Sequence, residues 1–319
     1  MPTKSACIFK NSPVKYRHII IISLAALLCL PHLEGSAQES VHYNDTTWYD
    51  KGFDLYIGAG AFFANKKNAL YYNGSRRNEC NLDYIFDNHY WYDEIRQEVN
   101  NLYPHVSLSD EISYLEENLD WNVRYKVKTM LNLGARYKFG HNWGLSISYS
   151  FCRLTTSSQL LLNYSSVSGN LINAPVMELH GKEDRSMIDL SVSYLISQLN
   201  PIAKPFIELG AQFNFAKAKV LEAAIGERTW TLLDPYMGQN YVPGAQMNTY
   251  DIIYGGPGYG FSFAAGIKIV VNKFVSIDPT FYGCMSSLGI KPLQERSFNF
   301  NYGVLVRLVV NDFFISQRQ

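Results

Sequence analysis

The histidines that follow the N-terminal leader are His42, His89, His105, His141 and His180, and His89 stands between Asp87 and Asp93. An imidazole flanked by carboxylates could move a proton or hold a weak metal site. A hydrolase with such a group is therefore one reading of this segment. The bland reading is that polar loop residues simply keep a loop in water. No nucleophile elbow, zinc motif or phosphate cradle accompanies these residues. "YGGPGYG" (254–260) is rich in glycine, but it opens a strand pattern and lacks the lysine of a phosphate loop. Cys80, Cys152 and Cys284 are scattered thiols, neither a zinc site nor a disulfide framework, although one bridge remains open. No metal and no cofactor is expected.

A second set of residues follows a strict rule of placement. Asp54, Lys128, Arg136, Asp189, Glu208, Lys268, Asp278 and Arg307 each lie on the polar side of a segment in which apolar and polar residues alternate. Alternation of period two is a strand with unlike faces. Such segments are "DLYIGAGAFF", "VKTMLNLGARYKF", "GLSISYSFC", "MIDLSVSYL", "KPFIELGAQFNFAK", "GFSFAAGIKIVV", "FVSIDPTFYG" and "RSFNFNYGVLVRLVVNDFF". Their connections run long, short, long, short, long, short and then moderate. The short ones, near 140–142, 200–204 and 272–273, carry the Gly, Asn and Pro of tight turns. The long ones span about 65–121, 157–183 and 220–255. Ten strands are the alternative if the first or third long loop hides a hairpin.

The N-terminus places this pattern in an exported chain. Lys15 and Arg17 precede the apolar run Ile19–Leu30, and Gly35, Ser36 and Ala37 offer a small-residue cleavage site, so residues 1–37 read as a signal peptide. Leu28 before Cys29 is too bulky for a lipoprotein signal. Cleavage takes away Lys4, Lys10, Lys15, Arg17 and Glu34 from a balanced 28 basic and 28 acidic residues, leaving a slightly acidic chain with no nucleic-acid signature. Residues 38–51 form a polar N-terminal segment, in which Asp45-Thr46-Thr47 resembles a glycosylation acceptor too short to weigh. Nothing after the leader could cross a membrane as a helix, so any crossing must be made by strands.

Even strand number, turns short at one end and loops long at the other make the chain resemble the small outer-membrane β-barrel family of Gram-negative bacteria, in the size class of the OmpX and OmpA transmembrane domains. In that family the last strand carries a barrel-assembly signal, and Asn301, Gly303, Val306 and Leu308 match its order, with Phe314 as the terminal aromatic. The resemblance implies an all-β, eight-stranded, antiparallel, up-and-down transmembrane barrel over 52–314, in the cell outer membrane, with both termini in the periplasm. It also implies outer-membrane lipid and the barrel-assembly machinery as partners.

The eight charges would then face inward as an ion-pair plug, because an eight-stranded barrel is just wide enough for side chains to fill. A soluble lipocalin-like barrel would show the opposite polarity. Phe139, Trp143 and Phe274 would mark one membrane boundary, and Phe62, Phe63, Tyr71 and Tyr72 the other. In the first long loop, Leu82, Ile85, Phe86, Ile95, Val99 and Leu102 recur at helical intervals, so a helix is expected within 83–101. It would present Tyr90, Trp91 and Tyr92 to an extracellular or complex partner, or pack as a lid on the barrel mouth. The function these readings imply is a non-enzymatic anchor for binding or protective surface loops. The alternative is a small channel or a subunit of an outer-membrane transport or secretion complex.

Overall fold

In the computed structural model, the residues described are 52–104, 106–107, 110–140, 142–164, 174–196, 202–234, 236, 241–245, 254–272 and 274–311. All lie in one compact unit, Thr47–Gln319. The leader, Asp45–Thr47, His42, His105, His141 and Phe314 fall outside the described residues.

The strands are β1 (Gly52–Phe63), β2 (Ile112–Ser113), β3 (Lys128–Gly140), β4 (Trp143–Leu161), β5 (Asn163–Tyr164), β6 (Val176–Leu195), β7 (Ala203–Ile225), β8 (Arg228–Thr231), β9 (Tyr254–Val270), β10 (Val275–Ser286) and β11 (Asn299–Val310). The order β6-β4-β3-β1-β11-β10-β9-β7 closes on itself through the β6–β7 pairing, and every neighbour is antiparallel. Eight strands thus form an up-and-down ring with no open edge, which is how a sheet can satisfy its backbone in lipid. The third long connection does hold a hairpin, but β8 pairs with β7 alone among the described strands and stands outside the ring. β2 and β5 pair only with each other.

The strands outrun the loop limits set from sequence. β4 continues to Leu161, β6 begins at Val176 and β7 runs to Ile225, so both ends of the connection expected at 157–183 and the start of the one expected at 220–255 are strand. These extensions stand above the ring and form one wall of a second packed layer. Its other wall is the first long loop, with the helix His89–Leu102 at its centre. Asn88 starts that helix by accepting hydrogen bonds from the backbone N–H groups of Tyr90 and Trp91, as an N-cap residue does.

Candidate functional site

The two faces of the ring have opposite chemistry, and the chemistry inverts along the strands. On β11 the exposed residues are Phe300, Tyr302, Val304, Val306, Leu308 and Val310, while Asn299, Asn301, Gly303, Leu305, Arg307 and Val309 are buried. Val306 is 55% exposed and Arg307 only 2%. Strands β3, β4, β6 and β7 repeat this with Leu131, Leu133, Ile147, Leu190, Leu209 and Phe213 outside and Ser148, Asp189, Glu208 and Gln212 inside. A continuous apolar outer wall around a polar interior is the reverse of a water-soluble barrel and fits lipid. This is a transmembrane β-barrel.

Farther along the same strands the outer face becomes polar. Phe151 gives way to Arg153, Ile188 to Asp184 and Lys182, and Phe215 to Lys217 and Lys219. The inner face becomes apolar at the same time, with Leu160, Met177, Leu179, Leu221 and Ala223 buried. Above the apolar belt the strands therefore behave as an ordinary water-facing sheet over a hydrophobic core. That core joins them to Leu82, Ile85, Trp91, Ile95 and Val99 of the first loop and to Trp230 of β8. We call this layer the cap.

At the short-turn end Phe139, Trp143, Tyr194 and Phe274 are exposed at the edge of the belt, with the Trp143 and Tyr194 rings 4.8 Å apart. At the other end Phe63 and Tyr302 stack at 4.8 Å. Phe62, Tyr71 and Tyr72 do not join that boundary, and the expectation for them is corrected. Phe62 alternates inward into the lumen, and the two tyrosines are buried in the cap core.

Inside the ring, Asp54 receives Lys268 Nζ at 3.0 Å and Lys138 Nζ at 3.1 Å. Glu208 bridges the lumen from β7, with Arg136 Nη2 on Oε1 at 2.6 Å and Arg307 Nη1 on Oε2 at 2.9 Å. Asp278 lies 3.8 Å from Arg136 Nη1. The Tyr56 ring lies beneath both guanidiniums, 4.9 Å from Arg307 Cζ and 5.9 Å from Arg136 Cζ. A Cβ at Gly134 would strike that ring, so glycine makes room for Tyr56 to lie across the lumen. Asp189 stands higher, accepting from Gln212 at 3.1 Å and from the Tyr282 hydroxyl at 3.2 Å.

The structure thus brings Asp54, Arg136, Glu208, Lys268, Asp278 and Arg307 together and places Asp189 beside them. Lys128 is corrected: it shares the inward phase but sits at the mouth end of β3, half-buried and eight residues along the strand from Arg136. Sequence reading left out Lys138, although it lies on the same phase two residues beyond Arg136. It also left out Glu183 and Arg185, which form a separate pair near the mouth.

Glu183 and Arg185 fasten the cap to the lumen. Arg185 Nη2 and Nε donate to Glu183 Oε1 at 2.7 and 2.9 Å, and the hydroxyls of Tyr72 and Tyr125 both donate to Oε2. Arg185 Nη1 reaches Asn301 Oδ1 at 3.4 Å, and the same oxygen accepts from the Asn65 backbone. The Tyr72 ring lies on Gly181, where an added Cβ would come within 2.4 Å of it. Between this latch and the lower charges, Phe62, Met130, Cys152, Met187, Leu305 and Cys284 make an apolar layer. A solute travelling the axis would meet each of these layers in turn.

The other candidates fall elsewhere. His89 Nε2 lies 3.5 Å from Asp93 Oδ2 on an exposed turn of the cap helix, and Asp87 is exposed beside it. His180 contacts Glu178 on the outer face of β6 at 3.2 Å. Among the described residues no group of His, Cys, Asp and Glu could hold a metal ion. Cys80, Cys152 and Cys284 are free and buried.

Trp91 is corrected as a presented ring. It is 6% exposed and stacks on Tyr241 at 4.7 Å, because helical spacing puts it on the face shared with Ile95 and Val99. Tyr90 is exposed at the edge of that face, with its ring edge-on to Tyr241 at 6.5 Å, and the hydroxyl of half-buried Tyr92 accepts from the Ile112 backbone at 3.0 Å. Asn301, Gly303, Val306 and Leu308 all lie in β11, the strand that closes the ring against β1.

No family model and no curated protein matches the chain. Among solved structures it is similar to Neisserial surface protein A, at 11% identity over 82% of this chain and 97% of that one, with a TM-score of 0.37. It is also similar to the outer membrane protein OprG from Pseudomonas aeruginosa, at 10% identity over 82% and 95% with a TM-score of 0.34. The attachment invasion locus protein Ail of Yersinia pestis matches at 10% identity over 82% and 98%, with a TM-score of 0.32. The barrel assignment stands on the strand pairing and the two faces described above.

Proposed function

We propose that this chain is a non-enzymatic outer-membrane protein whose barrel anchors a folded cap at the cell surface. In this reading the signal peptide directs export, the barrel-assembly machinery recognises β11, and the termini and short turns face the periplasm. The cap then serves as a binding or protective surface. The observation that carries the reading is the inversion of polarity along β4, β6 and β7: lipid-facing outside and charged inside, then water-facing outside and apolar inside.

The lumen supports anchoring over conduction. Carboxylates held by cations from the far wall, a layer of apolar side chains and a latched cap lie in series across it. Buried ions so arranged are paired and cannot be displaced cheaply. Planar bilayers test this directly. The purified protein should give no stable single-channel steps, and large, long-lived conductances would overturn the anchor in favour of a channel. Co-purification of stoichiometric membrane partners would instead mark a subunit of a larger complex.

A further inference from the structure

Directly above the apolar belt, one side of the barrel carries a band of cations. Pairing places Phe151, Ser186 and Phe215 side by side in one outward row on β4, β6 and β7. Outward side chains alternate, so the next outward row is Arg153, Asp184 and Lys217, again directly paired. The row after that holds Lys126, Thr155 and Lys182: the Lys126 backbone donates to Thr155 O, and Thr155 pairs with Lys182. Lys219 stands beside them at the register shift of the β6–β7 ladder. Asp184 is the carboxylate within these two rows, and Arg153 grips it through Nε at 2.6 Å and Nη2 at 3.1 Å. Glu178, His180 and Glu222 lie at least one row higher. Toward the cap end of β1, β9 and β11 the outer face carries aromatic rings instead, among them Phe63, Tyr259, Phe298 and Phe300.

We propose that this band is a docking surface for the phosphate-bearing headgroup of an anionic membrane lipid. The proposal rests on the outer-membrane reading and gives its lipid partner a headgroup chemistry and a place on the barrel. Charge supplies the first argument. Arg153, Lys126, Lys182, Lys217 and Lys219 outweigh Asp184, and basic residues at a membrane surface attract anionic lipid. Position supplies the second. The band begins one outward row above Phe151 and Phe215, so an acyl chain lying on the belt brings its own phosphate to these cations. Long basic side chains suit this boundary because their stems cover apolar surface while their heads reach the polar layer. A soluble polyanion would gain nothing from the adjoining belt.

The test uses the full chain in phosphatidylcholine vesicles carrying spin-labelled phosphatidic acid or spin-labelled phosphatidylcholine, with the motionally restricted fraction of each read by electron spin resonance. The wild type should restrict phosphatidic acid in preference. Lys182→Gln with Lys219→Gln should reduce that preference, by at most about fivefold per charge removed, and leave total restricted lipid unchanged. High salt should weaken the preference as well. Equal restriction of the two labels, with normal total restricted lipid, would overturn the docking surface and leave the membrane reading intact. Complete loss of the preference on adding soluble tripolyphosphate, at an ionic strength where sodium chloride leaves it in place, would show a site for free polyanions and overturn the lipid. Restriction of neither label would overturn the outer-membrane reading itself.

Discussion

Replacing Glu208 by Gln changes one oxygen for one nitrogen and removes the charge that holds two guanidiniums together. Glu208 is 4% exposed, and its two oxygens accept separately from Arg136 and Arg307, which are 4% and 2% exposed. The amide keeps one acceptor, so one charge-assisted bond is lost outright and the other weakens. Each such bond contributes about 1.5–3 kcal/mol. Leaving a buried charge without its partner costs about 3–5 kcal/mol in total, which sets the expected loss for Glu208→Gln.

The assay is reversible denaturant unfolding of the barrel in lipid vesicles, followed by tryptophan fluorescence. Glu222→Gln, on the outer face of β7 in the cap, serves as the control and should stay within about 0.5 kcal/mol. Adding Arg307→Met to Glu208→Gln should recover about 1–3 kcal/mol, because one of the stranded cations is then gone. A loss below about 1 kcal/mol for Glu208→Gln, or no recovery in the pair, would refute the claim that the lumen is a closed ion network.

Further outcomes follow from the faces and from the latch. Val306→Arg sets a cation on the lipid face and should cost about 2–4 kcal/mol or block assembly, whereas Ser148→Asn on the lumen side should do far less; equal effects would place the register wrong. Gly181→Val should push Tyr72 off β6, so that protease cuts within 65–121 while the ring stays intact; undiminished protection of that loop would count against the latch. Cys80 is buried in the cap beside the Tyr71 hydroxyl, and burial pushes its thiol up from 9.0 to about 12. The folded cap thus favours the protonated thiol. Its contribution to stability is full below about pH 9 and is lost as the pH rises toward 12. Alkylation of Cys80 should therefore be negligible at pH 7 and rise only above pH 9 as the cap loosens; rapid labelling at pH 7 would show an open cap.

All eight ring strands were legible because side chains alternate on a fixed period, and lipid on one side with ion pairs on the other makes that alternation stark. Arg307 among Val306, Leu308 and Val310 can only point inward. The extensions were not legible for a related reason. "VMELHGKEDRS" (176–186) alternates as strictly as the belt, with Met177, Leu179, Gly181, Glu183 and Arg185 on one face. Its polarity is inverted and its outer residues are charged, so it reads as a solvated loop. Glu183 and Arg185 were lost with it.

Lys138 was missed for want of a register, since its role depends on Asp54 arriving from β1, far away in sequence. Helical spacing located the cap helix. The same spacing puts Trp91 on the side of Ile95 and Val99, whereas the local cluster of Tyr90, Trp91 and Tyr92 suggests three presented rings. Nothing in the sequence announced that Tyr72 would lie on Gly181, because that contact joins two segments the lumen alone brings together.

Along β6 the outer face passes from lipid at Leu190 to water at Lys182. Spin labels at Leu190 and at Lys182, each placed singly with the buried native cysteines left unreacted, test this in reconstituted vesicles. The label at position 190 should collide with oxygen and be shielded from a water-soluble nickel chelate, and the label at 182 should show the reverse. Equal access of the chelate to both positions would mean that the exposed apolar wall of the ring does not face lipid, and the barrel would not be a membrane anchor.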